Sequence, residues 1–228
     1  MTVPTSTAKT VTIFGGSGFV GSHIVRILAK QGYRIRVAVR RPDLAGHLQP
    51  LGGVGQIRAV QANLRYRWSV ERAVEGADAV INCVGILNQS GAQRFDAVQA
   101  FGARAVAEAA RAHNISNVVH LSAIGADTGS DIACLRTKGE GEAGVLETVP
   151  EAVVLRPSLL FGPEDGFFNR FAAIAGISPV LPLFGGGTTR FQPVYVGDVA
   201  AAAAMAVGGR AKPGTIYELG GPEVVTFR

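Results

Sequence analysis

Seven consecutive residues, Gly15-Gly16-Ser17-Gly18-Phe19-Val20-Gly21, carry the clearest chemistry in the chain. Their spacing is GxxGxxG. They lie between a β-rich run, Thr10 to Phe14, and a run with helical apolar spacing, Gly18 to Lys30. Glycines at a strand-to-helix turn let the backbone approach a pyrophosphate, and the helix start offers N–H donors and the positive end of its dipole. Gly15, Ser17, Gly18, Phe19, Val20 and Gly21 are therefore expected to bind a dinucleotide. The second strand, Arg34 to Val39, runs into Arg40-Arg41-Pro42. A site for NAD usually places a carboxylate there for the ribose 2′-hydroxyl, whereas a guanidinium suits a 2′-phosphate. The expected cofactor is NADP(H) in preference to NAD(H), with Arg40 and Arg41 on the phosphate. Asn63-Leu64 is expected to flank the adenine. Val84-Gly85-Ile86 is expected to run past the ribose and pyrophosphate.

A second set of reactive types is Cys134 and Lys138, four residues apart and so on one face of a helix. A thiol is more acidic than a phenol in model peptides, about 8.5 against about 10, but it is shorter. Beside an ammonium it could become a thiolate, and so a nucleophile or redox sensor. A small residue filling space is the preferred reading. Cys83 and Cys134 have no CxxC partner, which fits reduced thiols in a cytoplasmic setting. His23, His47, His113 and His120 are scattered without ligand spacing, so no metal is expected.

The elements that must position these groups follow from periodicity. After the first strand and helix come strands at Arg34 to Val39, Ile57 to Gln61, Ala79 to Val84, Asn117 to Leu121 and Ala152 to Leu155. Helical patterns begin at Ser69, run from Phe95 to His113, and enclose Lys138 before Pro150. Continuous apolar strands alternating with helices imply an α/β chain, a Rossmann-type doubly wound parallel sheet with helices on both faces. Phe161 to Gly187 is rich in Gly, Pro and Phe and reads as loops. Val199 to Val207 reads as a helix, Ile216 to Leu219 as a last strand, and Val225 to Arg228 as the start of a further helix. The expected division is a nucleotide-binding domain over 1–160 and a small, truncated C-terminal lobe over 161–228.

Composition bounds the rest. The 228 residues are 47% apolar and carry a net charge of +5, enough apolar material for a sizeable core. Only Lys9, Lys30, Lys138 and Lys212 are lysines, so the basic residues are mostly arginine. An Arg-rich solvated surface is the preferred reading over attraction to an acidic partner or an anionic membrane. Nucleic acid is not an expected partner. Met1 to Lys9 contains no signal-like apolar run, and Val199 to Gly209 is too short to span a bilayer. The expected place is the cytoplasm, with peripheral attachment at the inner face of the membrane as an option.

At the level of motifs, GGSGFVG, VRRPD, VINCVGI, HLSAIGA, RTKGEGE, LRPSLLFGPED and FQPVYVGDVA resemble an atypical extended short-chain dehydrogenase/reductase. FGGSGF, LRPS with FGPED, and RFQPV resemble the branch formed by the nucleotide-binding accessory subunit of respiratory complex I (alpha-subcomplex subunit nine) and its bacterial relatives. The resemblance implies NADPH held tightly on the Rossmann sheet, with Ser122, Pro157 and Ser158 beside the nicotinamide half and Lys138 on its ribose. Active relatives place a tyrosine four residues before that lysine, and a Ser or Thr two residues after Ser122. Here these positions hold Cys134 and Ile124, and no YxxxK occurs anywhere in the chain. The expectation is a non-catalytic NADP(H)-binding protein, its nucleotide a structural ligand in a complex I-type accessory or assembly role. Partners would be complex I subunits or the membrane surface. An active oxidoreductase or nucleotide-sugar epimerase/dehydratase is the alternative, and an NmrA-like NADP(H)-sensing regulator a second one. Substrate contacts would come from Phe161 to Arg190, and no substrate is named by them.

Overall fold

In the computed structural model, residues 8–177 and 187–226 are described. The expectations for Met1 to Ala8, for the middle of Phe161 to Gly187 and for the last two residues fall at least partly outside them.

The first strand, β1 (Thr10–Phe14), is followed by α1 (Phe19–Lys30), β2 (Arg34–Val39), β3 (Ile57–Gln61), α2 (Arg67–Val74) and β4 (Ala79–Asn82). Then come α3 (Phe101–Ala112), β5 (Val118–Leu121), α4 (Ala133–Thr148) and β6 (Val153–Pro157). The remaining elements are β7 (Leu160–Phe161), α5 (Phe168–Ala175), β8 (Arg190–Phe191), β9 (Val194–Tyr195), α6 (Val196–Val207), β10 (Ile216–Leu219) and β11 (Val225–Thr226). The main sheet has seven strands in the order β10-β6-β5-β4-β1-β2-β3, every neighbouring pair parallel. The winding direction reverses between β1 and β4, which opens a crevice at their C-terminal ends.

Both faces of the sheet are covered, which explains why its central strands are mostly apolar. On one face Ile24, Val25 and Leu28 of α1 meet Val199, Ala200 and Ala203 of α6 over Val11 and Ile13. On the other, Val70 and Val74 of α2, Val106 of α3 and Val145 of α4 pack with Phe14 and Val80. Thr12 is the buried polar residue of β1, and its hydroxyl donates to Ala73 O at 2.9 Å. β10, from the far end of the chain, pairs with β6 and so joins the same sheet.

Several boundaries differ from the sequence reading. The β4 strand stops at Asn82, two residues early, because the Asn82 side-chain oxygen takes the Val84 N–H at 3.1 Å in place of a ladder partner. Pro42–Leu51 forms a 3₁₀ run after β2. The long helix expected from Phe95 starts as a π turn, Asp96–Ala100, before α3. Part of the glycine- and phenylalanine-rich segment is helical: the Asp165 carboxylate accepts the N–H groups of Phe167, Phe168 and Asn169 at 3.0, 2.6 and 3.2 Å and so starts α5. Val225–Thr226 does not begin a helix; it pairs antiparallel with Arg190–Phe191.

Candidate functional site

A cleft of about 380 Å³ opens at the C-terminal ends of β1, β2, β3 and β4. Its lining includes ten residues singled out in the sequence: Gly15, Ser17, Gly18, Arg40, Arg41, Asn63, Leu64, Val84, Gly85 and Ile86. Four separate segments therefore converge on one space. Phe19, Val20 and Gly21 stand just behind it, in the first turn of α1. Ser122, Lys138, Pro157 and Ser158 are not among its lining residues; Ser122 follows β5, Lys138 is on α4, and Pro157 ends β6 with Ser158 just after it, towards the other half of the sheet.

The glycine turn is built for close approach. Gly15 has φ +74°, and a β-carbon there would stand 3.2 Å from the Cys83 and Val84 backbone. A β-carbon on Gly21 would lie 2.3 Å from Gly15 O, so only glycine lets α1 start this close to β1. The N-cap of α1 is Gly18, without a side-chain cap, and the first turn carries no acid. Its N–H donors are left for an anion in the cleft.

At the β2 end the two arginines differ. Arg41 is held by Asp43, Nε to Oδ1 at 3.0 Å and Nη2 to Oδ2 at 2.7 Å. This contact raises the Arg41 pKa and lowers that of Asp43. Arg40 is exposed and makes no ion pair among the described residues. At the β3 end, Asn63 Oδ1 accepts the Arg65 N–H at 3.2 Å, which turns the chain so that Arg65 also lines the cleft. Arg65, Leu44 and Gln93 are lining residues that the sequence reading missed. Arg65 directly follows Asn63-Leu64, so the signal was a third cation one residue beyond an assigned pair.

The other half of the site centres on α4. Lys138 and Cys134 share one face, as their spacing required. Burial lowers the Lys138 pKa, against the pull of Cys134 and Glu142. The Cys134 sulfur lies 3.8 Å from both side-chain polar atoms of Gln99. Gln99 comes from the π turn, donates to Ile86 O at 2.8 Å and accepts from the Thr137 hydroxyl at 3.0 Å. It thus ties α4 to the loop that follows β4. Beneath them, the Asn82 amide meets His120 Nδ1 at 3.3 Å. Burial first, and the Lys138 charge second, push the His120 pKa down to about 3, so this ring is neutral at pH 7. Burial pushes the Cys83 thiol up to about 12. Ile124, where a hydroxyl would be needed, is apolar, and its N–H is taken by Pro157 O at 3.0 Å.

The residues fit a nicotinamide dinucleotide. The glycine cradle suits a pyrophosphate, and Ser122 Oγ, just past the end of β5, is a buried hydroxyl without a hydrogen-bond partner among the described residues. Among the described residues no group of three His, Cys, Asp or Glu side chains could hold a metal ion.

Comparison with known proteins agrees with this geometry. A family model described as NAD(P)H-binding matches residues 15–142. The mitochondrial NADH dehydrogenase [ubiquinone] 1 alpha subcomplex subunit 9 of Arabidopsis thaliana is 37% identical over 218 residues, covering 94% of this chain and 54% of that protein. A ceramide reductase of Caulobacter vibrioides is 34% identical over 191 residues, covering 84% of this chain and 58% of the relative. The chain thus spans little more than half the length of these relatives. Among solved structures, a dTDP-glucose 4,6-dehydratase from Streptomyces venezuelae with NAD bound superimposes with a TM-score of 0.81 at 22% identity, covering 95% of this chain and 77% of that one. That last likeness is one of fold.

Proposed function

The chain belongs to the NAD(P)H-binding family, and on that premise we propose that it holds NADP(H) as a structural ligand without turning it over. The setting would be an accessory or assembly protein of the complex I type. One observation carries the non-catalytic part: the position one helical turn before Lys138 is Cys134, and its thiol is set against Gln99. A general acid must first be within hydrogen-bond reach of the reacting group. Tyr33, Tyr66, Tyr195 and Tyr217 are the four tyrosines, and none is on α4 or lines the cleft. Ile124 adds no hydroxyl. The cofactor half keeps its cradle, so binding energy remains available while proton transfer does not. Bound nucleotide then stabilises the folded chain by mass action.

Preference for NADP(H) is supported by Arg40 at the β2 end, a cleft-lining guanidinium with no ion pair among the described residues. The complex I setting is supported by the similarity to the Arabidopsis subunit. No helix among the described residues is long and apolar enough to cross a membrane. The working division is 1–160 for nucleotide binding and 161–228 for a smaller lobe that returns α6 and β10 to the main sheet. The similarity to a ceramide reductase favours a second reading, an active NADPH-dependent oxidoreductase in which Cys134, Lys138 or a water supplies the proton.

The test is affinity purification of the tagged protein from gently solubilised membranes of its own host. Retained proteins are read by mass spectrometry and extracted nucleotide by chromatography. Complex I subunits and NADP(H) at stoichiometric yield are expected. A solitary protein that consumes NADPH with a carbonyl compound, and stops doing so as Lys138→Ala, would replace this reading with the second one.

A further inference from the structure

Three guanidinium groups line the cleft, those of Arg40, Arg41 and Arg65, and Arg41 is paired with the Asp43 carboxylate. They come from two loops that leave the sheet side by side. β2 and β3 are in parallel register from Ile35↔Ile57 to Val39↔Gln61, and Ala62 N–H donates to Val39 O at 2.9 Å. The chains that follow, Arg40-Arg41 and Asn63-Leu64-Arg65, therefore start about one strand spacing apart, roughly 5 Å.

These arginines are not equivalent. The Arg41 fork is committed to Asp43 through both Nε and Nη2. Its charge is balanced locally, and a phosphate approaching it also meets the carboxylate. Among the described residues Arg65 has no carboxylate partner; its Nε makes a long contact to Asn63 Oδ1, 3.4 Å, and its guanidinium lies 5.8 Å from the Tyr66 ring centroid. Arg40 has no ion pair among the described residues either. Two uncompensated cations facing one cleft repel one another, and an anion between them removes that cost.

We propose that Arg65, together with Arg40, selects the 2′-phosphate, and that Arg41 and Asp43 form a neutral pair at the rim that does not contribute to selection. This rests on the NADP(H) reading above and assigns it to particular side chains. Arg65 is the new member. It reaches the site from the β3 loop, whereas dinucleotide discrimination is usually sought at the end of β2. The Asn63 side chain positions it by capping its backbone N–H.

Two probes isolate the phosphate: 2′,5′-ADP carries it and 5′-AMP does not. Titration calorimetry on the purified chain is expected to show the wild type binding 2′,5′-ADP at least about tenfold more tightly than 5′-AMP, the worth of one charge-assisted pair. Arg65→Met and Arg40→Met should each lower 2′,5′-ADP affinity about tenfold and leave 5′-AMP within about twofold. The double variant Arg41→Met/Asp43→Asn should keep the preference within about threefold. A preference unchanged in Arg65→Met, or lost in the double variant, overturns the assignment while leaving the NADP(H) reading intact. Equal loss of both probes in Arg65→Met overturns it too, because the residue would then only support the loop. A wild type that binds the two probes equally removes the NADP(H) reading and this assignment with it. Thermal melts of each variant check that these exposed substitutions leave the fold unchanged.

Discussion

The Lys138 ammonium lies 3.6 Å from the point where a β-carbon on Gly85 would stand. Helix α4 and the loop after β4 meet there, and the bare glycine backbone leaves room for a ligand edge beside the cation. Lys138 has a pKa lowered by burial, so the unfolded chain binds its proton more tightly than the folded one. Between the two values stability rises with pH, up to the ordinary lysine value. Lys138→Met removes the buried charge and is expected to raise the melting temperature of the ligand-free chain by about 2–4 °C at pH 7. The same change should weaken NADPH about tenfold, through loss of a charged donor. Melting curves with and without NADPH read both effects.

His120 gives a second pH dependence of known sign. Its folded pKa, about 3, is below the ordinary 6.5, so from pH 6.5 down to 3 the unfolded state takes up a proton that the native state refuses. Stability is therefore lost as pH falls through that window. The expected loss between pH 7 and pH 5 is about 2 kcal/mol from this residue. His120→Gln should flatten the slope of urea midpoints over this range, and a slope unchanged in the variant would place its origin elsewhere.

Arg156 and Glu142 join β6 to α4, the helix that carries Lys138. The Glu142 side chain is 4% exposed and is gripped by Arg156 Nε at 3.0 Å and Nη2 at 2.6 Å. Arg156→Met leaves a buried carboxylate without its cation, a loss of about 3–5 kcal/mol in denaturant unfolding. Arg156→Met/Glu142→Leu should recover most of it, since the charge and its partner are then removed together.

The two cysteines should differ towards iodoacetamide. With the Cys83 thiol raised to about 12, roughly one molecule in ten thousand carries that thiolate at pH 8. Both thiols are half-buried, so access does not separate them, and the raised pKa of Cys83 leaves Cys134 expected to be alkylated first. Peptide mapping after brief treatment should find the adduct on Cys134 and none on Cys83. Preferential labelling of Cys83 would mean that the cleft opens further than its packing shows.

Much of the architecture was legible before any coordinates. Thr10 to Phe14, Gly18 to Lys30 and Arg34 to Val39 read as strand, helix and strand because each signal is local: apolar period, glycine at a turn, proline after a strand. The segments around Gly15, Arg40, Asn63 and Val84 could be brought together on paper because parallel strands all end on one side. Errors came where a single specific contact overrode the pattern: two were side-chain bonds to backbone N–H groups two and three residues on, and one was a strand partner far along the chain. Asn82 ended β4 early, Asp165 started α5 inside a loop-like stretch, and the partner at Arg190–Phe191 made Val225–Thr226 a strand.

By itself the sequence determined the order of elements, the glycine turn and the absence of a tyrosine before Lys138, because those are properties of neighbouring residues. Only the tertiary structure decided which arginine is neutralised, that Arg65 joins the cleft, that Gln99 meets Cys134 across 35 positions, and that His120 lies under the Lys138 charge. The physical reason is that charge balance, burial and hydrogen-bond partnership are set by distance in space. Chain spacing fixes that distance only within one helix, strand or turn.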